Sequence, residues 1–145
     1  MKKINMEVSV HAEGMTSEAK AGKHAFVIDE GTRMGGKDSG PNPLQSVLGA
    51  LAACENVTAR MAAKEMNFTF DSMDFQVRGE FDPRGFMGEP GVRPYFETVT
   101  IETTVKTEET EELLNELKEK VEARCPVYTM MKEAGVTMHD TWKKA

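Results

Sequence analysis

The stretch from Gly40 to Asn67, GPNPLQSVLGALAACENVTARMAAKEMN, is the segment around which the rest of the chain must arrange itself. Asn42 is a good helix cap and Pro43 a good first helical residue, so the pattern predicts a long helix from Pro43 to about Glu65. Leu44, Val47, Leu51, Cys54, Thr58 and Met61 recur at steps of three and four, which predicts a buried stripe with Cys54 on it. Gly49, Ala50, Ala52, Ala53, Ala59, Ala62 and Ala63 keep the other faces slim enough for a second helix to approach closely.

Strand-like segments flank this helix. Residues 4–12 alternate apolar and polar with a period of two, Met15 to Ala21 forms a second strand after a turn at Gly14, and HAFVID (His24–Asp29) a third, an antiparallel meander. Residues 30–43, EGTRMGGKDSGPNP, read as a loop carrying Arg33. Beyond the helix, Met73, Phe75 and Val77, then Val99, Ile101, Thr103 and Val105, mark two more strands. The prolines and glycines between them, in DPRGFMGEPGVRPYFE, predict irregular structure whose aromatic residues either tuck against the domain or cover an apolar pocket. Thr107 is the expected cap of an acidic-fronted helix with Leu113, Leu114, Leu117 and Val121 inward and a Glu116–Lys120 pair outside. Cys125 and Pro126 open a short helix that Gly135 ends, and a last strand follows around Val136 and Met138. Strands and helices in this order favour an α+β class over a doubly wound parallel sheet, and 145 residues fit a single domain, 1–145.

A net charge of −6 without a Lys/Arg cluster argues against a nucleic-acid partner. No run approaches a membrane span, and MKKINMEVSV lacks the unbroken apolar core of a signal peptide, so a cytoplasmic protein is expected. In that reducing setting two cysteines are expected to pair only transiently, within a reaction. The three histidines fall at no ligand spacing and no CxxC occurs, so neither a metal nor another cofactor is expected.

A lone cysteine on an apolar helix stripe ordinarily packs as a small hydrophobe, which is the plain reading of Cys54. Cys125 is expected to be the more activated thiol, because unpaired amides at a helix N-terminus stabilise a thiolate. Cys54 would need a nearby cation, and Arg33, in the loop leading into its helix, is the candidate.

Two motifs then narrow the reading. GPNPLQSVLGALAAC resembles the signature of the OsmC/Ohr family of thiol peroxidases, in which an N-P turn opens a long helix and a cysteine follows eleven residues after the proline, here Pro43 and Cys54. CPVYTMMKEA resembles the family's second motif, and the order of elements matches over essentially the whole chain. The resemblance implies an OsmC-like fold, antiparallel sheets around a long central helix in an intertwined homodimer. It implies that Cys54 attacks an organic hydroperoxide to give an alcohol and a sulfenic acid, that Cys125 resolves it as a Cys54–Cys125 disulfide, and that a dithiol reductant, of lipoyl type for instance, reopens the bond. Arg33 would hold the thiolate and polarise the peroxide. Leu44, Leu48, Met61, Phe86, Tyr95 and Phe96 are the expected apolar walls of the substrate pocket. One departure stands out: where the family's peroxidases carry a glutamate ten residues before the cysteine, this chain has Leu44. Gln45 falls on the wrong side of the helix to replace it, Glu55 points away, and Glu30 is the remaining candidate. The alternative function is an OsmC-like protein that binds a small apolar ligand or senses redox state with little or no peroxidase activity.

Overall fold

The computed structural model describes residues 1–145. Its elements are β1 (Ser9–Glu13), β2 (Thr16–Ala21), β3 (His24–Ile28), α1 (Pro43–Met66), β4 (Ser72–Glu80), α2 (Pro83–Phe86), β5 (Thr98–Lys106), α3 (Glu111–Arg124), α4 (Pro126–Glu133) and β6 (Thr137–Lys144). The expected α+β class is the observed one. The chain divides into two compact units, Met1–Val47 and Leu48–Ala145.

In the N-terminal unit β1, β2 and β3 form the expected antiparallel meander, with Gly14 and Gly22 at positive φ in its turns. The first strand is shorter than its alternation predicts. Pairing with β2 begins at Ser9 opposite Lys20, and β2 itself ends one residue on, at Ala21 before the turn at Gly22, so residues 4–8 have no partner there. The long loop after β3 is organised by Asp29, which is buried. Its carboxylate accepts hydrogen bonds from Thr16 Oγ1 (3.2 Å), the amides of Glu30 (2.8 Å), Lys37 (3.2 Å) and Ser39 (3.2 Å), and Ser39 Oγ (2.6 Å). The Asp29 amide donates to Pro41 O at 2.9 Å and closes the loop at its base. The backbone packs so tightly that a Cβ on Gly36 would collide with Glu30 O, and one on Gly40 with Val27 O.

The C-terminal unit is built on the sheet β4-β5-β6. β4 and β5 are antiparallel, but β6 runs parallel to β5, which corrects the expectation of purely antiparallel sheets. The physical reason is the connection: α3 and α4 together make a crossover long enough to return the chain to the end at which β5 began. Val99, Ile101, Thr103 and Val105 of β5 are buried on the inner face. Leu51 and Ala59 of α1 join Val99, Ile101, Val121, Cys125 and Tyr128 in one core cluster, and Ala62 and Ala63 join Phe68, Val105, Leu114 and Leu117 in another.

Several boundaries and faces differ from expectation. The buried stripe of α1 is Leu51, Glu55, Thr58, Ala59, Ala62 and Ala63, while Leu44, Val47 and Met61 are exposed. α1 ends one residue later than expected, at Met66, where Asn67 adopts positive φ. Its start is fixed by a reciprocal cap in which the Gln45 amide donates to Asn42 Oδ1 (2.8 Å) and the Asn42 amide to Gln45 Oε1 (2.9 Å). Thr110 rather than Thr107 caps α3, accepting from the Leu113 amide at 3.2 Å; Thr107 lies in the turn before the helix, where its Oγ1 donates to Thr69 O (2.7 Å) and accepts from the Glu109 amide (3.0 Å). Leu113 lies on the exposed side, and the i,i+4 ion pair on α3 is Lys118–Glu122 rather than Glu116–Lys120. The segment expected to be irregular contains one helical turn, α2, capped by Asp82 through the Arg84 amide (3.0 Å).

Candidate functional site

α1 and the α3–α4 junction bring the two cysteines together inside the C-terminal unit. Cys54 is half-buried and packs against the cluster that contains the fully buried Cys125, near enough to act on the Cys125 thiol. Both are free thiols. Cys125 ends α3, its amide donating to Val121 O at 2.8 Å, and heads α4, with Pro126 at the first helical position. Burial pushes its thiol up to about 11; the amides of Tyr128 and Val127 act the other way but do not offset it. The expectation of an activated Cys125 is therefore not met. The helix N-terminus is present, but it lies in a core dry enough for desolvation to win. A partly exposed sulfur backed by a sealed one is a pair fitted for thiol–disulfide exchange.

Leu48 and Phe96 belong to the same cluster. The Phe96 ring lies edge-on to Phe81, with centroids 6.0 Å apart, and fills the space over Gly79, where a Cβ would come within 2.5 Å of it. Tyr95 donates its hydroxyl to Ala134 O at 3.0 Å and Arg93 Nη1 donates to Gly135 O at 3.1 Å, so the segment before β5 is tied to the turn after α4. Leu44, Met61 and Phe86 lie exposed, outside that cluster. Arg33 is in the N-terminal unit, on a single 3-10 turn (Thr32–Met34), exposed and without an ion pair to Glu30 or any other residue of the chain.

A second group of side chains escaped the sequence reading. Glu55, directly after Cys54, is fully buried, and neither carboxyl oxygen has a hydrogen-bond partner. Burial, then the charges of Asp140 and Glu122, raise its carboxyl to about 8. Asp140 rises to about 6, from burial and Glu122, against the pull of Lys118 and of the Trp142 indole, whose Nε1 donates to Oδ1 at 3.1 Å. Tyr128 is held un-ionised by burial and by the bond its hydroxyl donates to Glu122 Oε2 at 2.9 Å. The signal for Asp140 was legible: in β6 it alternates with Met138 and Trp142, which puts a carboxylate on the apolar face.

The model of the OsmC-like protein family matches residues 36–139. The chain belongs to the OsmC family. Among solved structures, the OsmC-like protein of Mycoplasma pneumoniae matches with a TM-score of 0.84 at 19% identity, over 100% of this chain and 99% of that one. The organic hydroperoxide resistance protein OsmC of Legionella pneumophila matches at 0.70 and 14% identity, over 100% and 99%. The organic hydroperoxide resistance protein OhrB of Bacillus subtilis matches at 0.66 and 20% identity, over 98% of each chain. No curated protein matches the sequence. At these identities the structures share the OsmC fold with this chain.

Proposed function

We propose that this OsmC-family protein is a thiol-dependent peroxidase for organic hydroperoxides, working as a single OsmC-like domain. The observation that carries the reading is the meeting of two free thiols of unequal burial, Cys54 partly exposed and Cys125 fully buried in the adjoining core. The Cys54 thiolate attacks the terminal peroxide oxygen; the O–O bond breaks, an S–O bond forms, and the departing alkoxide takes a proton to leave as the alcohol. Cys125 then attacks the Cys54 sulfenic acid, which loses water and leaves a Cys54–Cys125 disulfide. An external dithiol reduces that bond by two exchanges through the more accessible Cys54 and is itself oxidised to a disulfide. Arg33, a cation with no partner in the chain, is the residue we assign to stabilise the thiolate and polarise the peroxide. Leu48 and Phe96, which belong to or pack against the same core cluster as the thiols, supply apolar wall for an alkyl substrate, with Leu44, Met61, Phe86 and Tyr95 as its outer contacts.

The functional unit on this reading is a homodimer in a reducing, cytoplasmic setting where both thiols persist. Its support is the N-terminal unit, which exposes Val8, Val10 and Phe26 and buries only Ala19 among its apolar side chains, a surface that calls for a second copy. Two named structural relatives are organic hydroperoxide resistance proteins, and their substrate class is carried over here.

One observation favours the ligand-binding or redox-sensing alternative. Leu44 is uncharged and Gln45 is spent on the helix cap, so the first turn of α1 offers no carboxylate to orient an arginine. Turnover of cumene hydroperoxide with a lipoyl-type dithiol distinguishes the two. The peroxidase reading expects consumption that Cys54→Ser abolishes, and a trapped Cys54 sulfenic acid in Cys125→Ser. No consumption, with tight binding of an apolar probe, supports the alternative.

A further inference from the structure

Four elements each send a titratable side chain to one buried place: Glu55 from α1, Glu122 from α3, Tyr128 from α4 and Asp140 from β6. The only cation among them is Lys118 of α3, whose Nζ stands 4.0 Å from Glu122 Oε1 and acts on Asp140. β5 brings no charge to this face, only Val99, Ile101, Val105 and the unpartnered hydroxyl of Thr103. Glu122 is engaged by Tyr128 and Asp140 by Trp142, which leaves Glu55 with two oxygens and no donor. An uncharged carboxyl tolerates that setting. A carboxylate does not, since it would be desolvated, unbonded and beside two other acids.

Tyr128 links this group to the thiols. It sits on α4, three residues after Cys125, and its ring packs in the same cluster as Cys125. A negative charge on Glu55 acts directly on the Tyr128 hydroxyl. We infer that Glu55, in its uncharged form, is a positioning residue for the resolving cysteine: it allows α4 to seat against α1 with Cys125 beside Cys54, and its ionisation loosens that seat. The consequence for catalysis rests on the peroxidase reading; the positioning itself does not.

The test therefore avoids peroxide. With Ellman's reagent, Cys54 reacts first and releases one thionitrobenzoate; Cys125 then displaces the second from the mixed disulfide as the Cys54–Cys125 bond closes. Cys125→Ser, lacking the second phase, identifies it. Thiolate chemistry alone makes closure about tenfold faster per pH unit below the Cys125 ionisation. The inference expects the wild type to break from that slope near pH 8 and level off, while the neutral isostere Glu55→Gln keeps rising, so that the variant closes roughly thirtyfold faster at pH 9.5. A second measurement needs no variant. Amide hydrogen exchange in residues 127–133, corrected for intrinsic rate, should lose about tenfold protection between pH 7 and pH 9 in the wild type. An unbroken slope in the wild type, a break that survives in Glu55→Gln, or protection of α4 that does not change with pH overturns the inference. Loss of the peroxidase reading would appear elsewhere, as thiols that survive hydroperoxide while the break near pH 8 remains.

Discussion

Asp29 and Glu55 are both buried acids, and their surroundings push them in opposite directions. Four of its hydrogen bonds, that from the Ser39 hydroxyl foremost and then those from the amides of Glu30, Ser39 and Lys37, hold the Asp29 carboxyl well below the usual carboxylate range. Its folded pKa lies below the unfolded value of about 3.8, so its contribution to stability is present above that pH and is lost as pH falls. Glu55 and Asp140 are raised to about 8 and about 6, so theirs is present at low pH and is lost as pH rises through those values. The melting temperature should therefore fall from pH 5 to pH 8.5, and Glu55→Gln should flatten most of the fall above pH 6; a wild-type curve that rises over this range contradicts the assignment. Asp29→Asn should speed amide exchange across residues 30–42 while leaving residues 127–133 unchanged. The two cysteines were readable from their motifs, but Glu55 was not. α1 is so rich in alanine that Leu44, Val47 and Met61 suggested one buried face, where Leu51 with Ala59, Ala62 and Ala63 make another, and that rotation carries Glu55 inside.

At the scale of elements, local signals worked where the chain's own chemistry closes the element. Asn42, Pro43 and Gln45 cap α1 without help from elsewhere, and Gly135, at positive φ, ends α4 as expected. They failed where a distant partner decides. Thr107 looks as good a cap as Thr110 until its hydroxyl is seen to tie the preceding turn to Thr69, with α3 starting only at Glu111, and nothing local shows that β6 returns parallel to β5. Thr110→Ala should cost about 1 kcal/mol in urea denaturation, the usual worth of a helix cap. Leu117→Ala, at a fully buried position of the same helix, should cost about 2–5 kcal/mol. A Thr110→Ala variant as stable as the wild type would show that the α3 cap contributes nothing.

At the scale of the whole molecule, the sequence carried the fold class and the family, because two cysteine motifs stand at a fixed separation in a fixed order of elements. It did not carry the setting of the site, which depends on α3, α4 and β6 converging on α1. The exposed apolar side chains of the N-terminal unit predict a dimer in sedimentation at micromolar concentration, and a monomer there would remove the second copy from the functional unit. The central claim is that Cys54 and Cys125 act as one redox pair, and the direct measurement is mass spectrometry of reduced protein mixed with one equivalent of cumene hydroperoxide. Loss of both thiols with a Cys54–Cys125 linked peptide is the predicted result; two intact thiols after excess hydroperoxide would contradict it.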